Sequence, residues 1–122
     1  MTSVIPILQI RGYLLASVQS DMGDAMAERF QNDVLKSIDR TGAQGLVIDI
    51  TALDIVDTYV ARVLADTALM AKLMGTQTVV VGMSPEIAAT LVQMQYPLEG
   101  VETALNIDDG IELLDLLVLP GR

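Results

Sequence analysis

The sequence has no cysteine, no histidine and no tryptophan, and only three tyrosines and one phenylalanine. Lacking cysteine, it has no disulfide and no thiolate nucleophile, which fits a reducing compartment such as the cytoplasm. Lacking histidine as well, it is without the usual zinc and copper ligands and without the commonest general base. Basic residues are scarce: seven lysines and arginines stand against sixteen acids, for a net charge of −9. That balance argues against binding a phosphate backbone and against docking on anionic lipid. It suits a basic protein partner, or solubility alone. No stretch reaches 18 uninterrupted apolar residues, so no membrane span is expected, and the start "MTSVIPILQIRGY" has no basic region of the signal-peptide kind.

What is present is aliphatic. Apolar residues make up 52% of the 122 positions, seven of them Met, and the mean hydropathy is +0.49. Such a surplus fits a surface for self-association or a partner; a single well-buried sheet absorbs it equally well. The length is that of one domain, residues 1–122 with a core over about 4–118, large enough to bury roughly two-thirds of its unfolded surface.

Hydrophobic periodicity gives the order of elements. "VIPILQI" and "YLLASVQ" flank Gly12 and read as a hairpin, with Pro6 placing the first strand at a sheet edge. After a cap at Ser20 or Asp21, the apolar residues Met26, Phe30, Val34 and Ile38 recur every fourth position until Gly42, as in an amphipathic helix. "GLVIDI" is apolar on both faces and fits a central strand. A helix from Thr58 to Met74, closed by Gly75, leads to the strand "TQTVVVGM". "SPEIAATLVQMQ" then opens a helix with Ser84 as cap, Pro85 at its first position and Glu86 at the positive dipole end. A short strand near "VETAL" and a helix from about Asp108, with Ile107, Ile111, Leu114 and Val118 as its stripe, complete the chain; the tail "LPGR" reads as disordered. The fold class is α/β, a mixed sheet with an N-terminal hairpin, later strands parallel, and about four helices.

The chemistry-bearing stretch is "DITALDIVDTYVARVL", where Asp49, Asp54, Asp57 and Thr58 gather around the start of a helix. A magnesium site there lacks any companion motif: there is no GxxxxGK[ST], GxGxxG or EF-hand spacing. A hydroxyl nucleophile would need Lys36 or Lys72 as its base, and both fall late in helices, away from strand ends. Paired-carboxylate glycoside chemistry calls for stacking surface, and aromatics are 3%. No catalytic residue, metal site or cofactor is therefore assigned. On spacing alone, Asp57 is an N-cap and Asp54 tightens the preceding turn.

The windows "LVIDITALDIVDTYVARVL" and "VVVGMSPEIAATLV" resemble the STAS domain, the fold of bacterial anti-sigma-factor antagonists, and most closely its RsbS and RsbR branches of the stressosome. In that family an apolar strand ends in Asp, and "VD" precedes a Ser or Thr that is phosphorylated. Carried onto this chain, the resemblance implies phosphorylation at Thr58, with Asp49, Asp54, Asp57 and Arg62 supporting it and Ser84 and Glu86 as a second contact on the rim. RsbS-type proteins usually carry Ser here; Thr58 follows the RsbR type. RsbR-type proteins add an N-terminal sensory domain, so the chain resembles the minimal RsbS-type scaffold. The implied partners are RsbR-type paralogues, an RsbT-type serine/threonine kinase and an RsbX-type phosphatase, in the cytoplasm, without nucleic acid or membrane. Two other readings stand beside it. One is a small anti-anti-sigma protein that binds a single kinase. The other is a nucleotide or small-molecule module, with Asp49, Gly82 and Ser84 on the ligand rim.

Overall fold

Arg11 and Gly12 both take left-handed backbone angles, φ 54° and 85°. Two such residues in succession make the mirror-image turn whose twist matches antiparallel strands. The turn folds β1 (Ile7–Ile10) onto β2 (Tyr13–Ser17) in a computed structural model that describes residues 6–18, 22–94 and 101–118. The sheet continues through β3 (Gly45–Asp49), β4 (Gln77–Val81) and β5 (Glu102–Ala104) in the order β1-β2-β3-β4-β5. After the hairpin every pairing is parallel. β1 lies at the edge that Pro6 suggested, and β3 is central.

Parallel strands need crossovers, and three helices supply them: α1 (Asp24–Thr41), α2 (Thr58–Leu73) and α3 (Pro85–Gln93), while α4 (Ile107–Leu117) follows the last strand and returns onto the sheet. Side chains alternate across the sheet, so strands covered on both faces must be apolar throughout. Leu14, Ala16, Leu46, Ile48 and Val80 face one way, against Phe30, Val34 and Ile38 of α1, Val60, Ala61 and Ala71 of α2, and Ile87 of α3. Leu15, Val47, Val79 and Val81 face the other way, against Ile111 and Leu114 of α4. The apolar surplus among these residues thus fills two cores, and each large side chain fully buried there contributes about 1.5–3 kcal/mol.

Several boundaries differ from the sequence reading. Ser20 and Asp21 lie outside the described residues, and α1 begins later, with Gly23 in the cap position and no side-chain cap. Asp24 in its first turn places negative charge at the positive dipole end instead. Gly42 does close α1, its N–H donating to Ile38 O at 2.7 Å. The strand residues proposed at 4–5 and at 19 also fall outside the described residues, as does the tail at 119–122; β2 ends at Ser17 and α2 at Leu73, with Met74 as its C-cap. α4 starts one residue early because Asn106 caps it, its side chain accepting the N–H of Asp109 at 2.9 Å.

Candidate functional site

The loop from β3 to α2 hangs on three buried side chains, Ile50, Leu53 and Val56. Between and beside them Asp54, Ile55, Asp57 and Thr58 are exposed. Asp57 is in extended conformation, φ −99° and ψ 177°, and its Oδ1 accepts the N–H of Val60 at 2.8 Å. That bond satisfies one of the orphan donors of the first turn and fixes where α2 begins. Thr58 is therefore the first helical residue, with its hydroxyl at the surface. It reaches Met94 Sδ at 3.9 Å, and a thioether is a weak acceptor.

Arg62 lies one turn beyond Thr58, on the same face of α2 and exposed, and makes no ion pair among the described residues. The next side chain after Thr58 ties the site to α1: Tyr59 OH donates to Glu28 Oε2 at 2.5 Å. This hydrogen bond to a carboxylate, more than any other influence, raises the phenol's pKa above its ordinary value, with Arg62 acting in the opposite direction.

Asp49, Ser84 and Glu86, also singled out in the sequence, do not gather at Thr58. Asp49 ends β3 with its side chain on the α4 side, where Oδ1 accepts both the N–H and the hydroxyl of Thr51, at 2.9 and 2.5 Å. Asp49 therefore tightens the turn after β3, the role the sequence reading gave to Asp54; the Asp54 carboxylate accepts no hydrogen bond among the described residues. An open groove on this side is lined by Asp49, Thr51, Asn106, Ile107 and Asp108. Its two carboxylates disfavour an anionic ligand. Ser84 caps α3, accepting the N–H of Ile87 at 3.1 Å, and Glu86 is exposed in the first turn. It is the opposite end of α3, at Met94, that reaches Thr58, about 15 Å along the helix axis from Ser84. Sequence reasoning missed Met94, Ile55 and the Tyr59–Glu28 bond. Ile55 alone had a signal, an aliphatic residue between two aspartate-bearing steps, and it is 68% exposed.

Among the described residues, no group of three or more acidic side chains is placed to hold a metal ion. No helix among them is long and apolar enough to cross a membrane.

The sequence model of the STAS domain matches residues 5–109. The RsbT co-antagonist protein RsbRA of Bacillus subtilis (strain 168) is 31% identical over 86 residues, which are 70% of this chain and 31% of that protein. The chain thus spans about a third of that relative's length. Among solved structures, RsbS of Moorella thermoacetica, carrying glutamate in place of a serine, superposes with a TM-score of 0.83 at 36% identity, over 94% of this chain and 97% of that one. A chain from the molecular architecture of the stressosome, described as a signal integration and transduction hub, gives 0.78 at 34% identity, over 93% and 99% of the two chains. By its fold, its matched length and these likenesses, the chain belongs to the STAS domain family and is similar to RsbS.

Proposed function

We propose that the chain is a non-enzymatic scaffold of a bacterial stressosome, working in the cytoplasm, that holds an RsbT-type serine/threonine kinase and releases it when Thr58 is phosphorylated. One observation carries the reading: an exposed hydroxyl at the first position of a side-chain-capped helix, in a chain similar to RsbS over nearly its whole length. A relative named as a co-antagonist of RsbT supports the class of partner. RsbR-type paralogues assemble with the scaffold, and an RsbX-type phosphatase resets it.

The physics of the switch follows from the site. A phosphate at Thr58 adds about −1.5 to −2 charges at pH 7. It sits at a helix N-terminus, which favours an anion by about 0.3–1 kcal/mol, and Arg62 lies one turn on to pair with it. Asp54 and Asp57 are of like sign and raise the negative field of the surface further. The helix therefore keeps its start while the docking face becomes strongly anionic. A partner with an acidic rim then meets like charge, which costs several kcal/mol across an interface. Release needs no large rearrangement.

The test is to incubate the chain with an RsbT-type kinase and ATP and locate the phosphate by mass spectrometry. Label on Thr58 that is absent from Thr58→Ala is the expected result. Phosphate elsewhere, with Thr58→Ala labelled as strongly as wild type, would sink the reading.

A further inference from the structure

The free edge of β1 and the adjoining face of α1 form a groove lined by Pro6, Ile7, Leu8, Asp33, Lys36 and Arg40, with Ser37 at its floor. Two features set it apart. It holds two of the chain's seven basic residues, and neither of them, nor Asp33, makes an ion pair among the described residues. It also borders a strand that, among the described residues, pairs on one side only, and such an edge ordinarily invites pairing with another chain.

The register of the hairpin decides which backbone groups face outward. Ile10 pairs with Tyr13 across a two-residue turn, and Leu8 with Leu15, while Ser17 N–H donates to Pro6 O at 3.3 Å. Even-numbered residues of β1 therefore bond to β2, and the N–H and C=O groups of Ile7 and Gln9 point away from the sheet. A two-fold axis through Leu8 would set Ile7 opposite Gln9 of a second copy, giving four backbone hydrogen bonds. It would also set Leu8, which is 57% exposed, directly against Leu8 of that copy, within side-chain contact.

The same axis, perpendicular to the sheet, leaves both α1 helices on one side and antiparallel to each other. The charges on α1 are spaced for that arrangement. Centred between Lys36 and Ser37, the rotation brings Asp33 against Arg40 of the second copy and Arg40 against its Asp33, and the two Lys36 ammonium groups, on long flexible stems, turn outward to solvent. At Asp33 and Arg40 the charge order is thus complementary to itself, as an isologous contact requires. That matters in a chain of net charge −9, whose copies otherwise repel.

We infer that this chain pairs with a second copy of itself through β1 edge to edge, joining two five-stranded sheets into one, with reciprocal Asp33–Arg40 ion pairs between the α1 helices. The inference deepens the scaffold reading, since an assembling subunit needs a self-complementary face, and it names that face as one remote from Thr58 in the chain.

Sedimentation equilibrium on the whole chain tests it. Wild type is expected to be a dimer, and Asp33→Arg and Arg40→Asp each to weaken the dimer by about tenfold or more. The double variant Asp33→Arg/Arg40→Asp is expected to restore association to within about threefold of wild type, since the pairs are only reversed in sign. Leu8→Lys, on the exposed edge, is expected to give monomer with the same circular dichroism. A monomeric wild type at tens of micromolar, single variants as tightly associated as wild type, or a double variant no tighter than the singles would overturn the inference. Phosphorylation keeps the two readings apart. A wild-type dimer without label on Thr58 sinks the switch and leaves the interface standing; a labelled wild-type monomer does the reverse.

Discussion

The hydroxyl of Thr58 lies 3.9 Å from the sulfur of Met94, so the last turn of α3 roofs the first turn of α2. Two segments 36 residues apart share one small surface. The sulfur accepts weakly and leaves the hydroxyl open to a stronger partner. Met94→Leu is accordingly expected to leave the rate of Thr58 labelling by the kinase within about twofold of wild type, since shape is kept and only a weak contact is lost. Met94→Glu sets a third carboxylate beside Asp54 and Asp57 and is expected to slow labelling on the order of tenfold. A time course of phosphate incorporation reads both, and equal slowing by the two variants would show that packing alone matters.

Asp57 is expected to matter to folding before it matters to signalling. Its Oδ1 holds the N–H of Val60 at 2.8 Å, and replacing such a cap by alanine costs about 0.5–2 kcal/mol. Asp57→Ala should lower the denaturant midpoint without changing the slope of the transition. Asp57→Asn, which keeps a cap oxygen, should recover most of the loss.

Gly82 is fixed by both angle and space. Its φ is +81°, and a Cβ there would lie 2.1 Å from Thr51 Oγ1, 3.0 Å from Thr51 N and 3.1 Å from Asp49 Oδ1. The Thr51 hydroxyl cannot swing aside freely, because it donates to Asp49 at 2.5 Å. Gly82→Ala is expected to destabilise the chain by about 1–3 kcal/mol through left-handed strain alone, with the collision added. Thermal unfolding should show the loss, while Gly23→Ala, with nothing within 4 Å of its added Cβ, should cost less, on the order of 0.5–1 kcal/mol, because alanine is a poorer N-cap than glycine.

Tyr13 gives the protein an alkaline limit. Burial first, and then its 2.6 Å hydrogen bond to Asp115, push its phenol from 10.0 up to about 12. The folded state therefore favours the neutral phenol. The stability this provides is complete below pH 10 and is lost as pH climbs from 10 towards 12. Denaturation curves across that range should steepen their decline in wild type and flatten in Tyr13→Phe. In absorbance titration, the Tyr13→Phe variant should lack the ionisation near pH 12.

Much of this protein was written into local sequence. Periodicity alone placed the central strands, because residues such as Val47 and Ile48 must be apolar when helices cover both faces. Capping chemistry alone placed the starts of α2 and α3, since Asp57 and Ser84 satisfy donors only three residues away. Signals of this kind are short in range and need nothing from the rest of the chain. The start of α1 was harder to read, because Gly23 leaves no side-chain signature at the cap. Tertiary structure decided what sits beside what. It sent Asp49 to the α4 side to hold Thr51, since strand side chains alternate and Ile48 already faces α1 and α2. It turned α3 so that Met94, not Ser84, meets Thr58, and it joined Tyr59 to Glu28 across two helices. Those contacts bridge tens of residues, and they depend on how whole elements pack on a twisted sheet, which no window of neighbouring residues encodes.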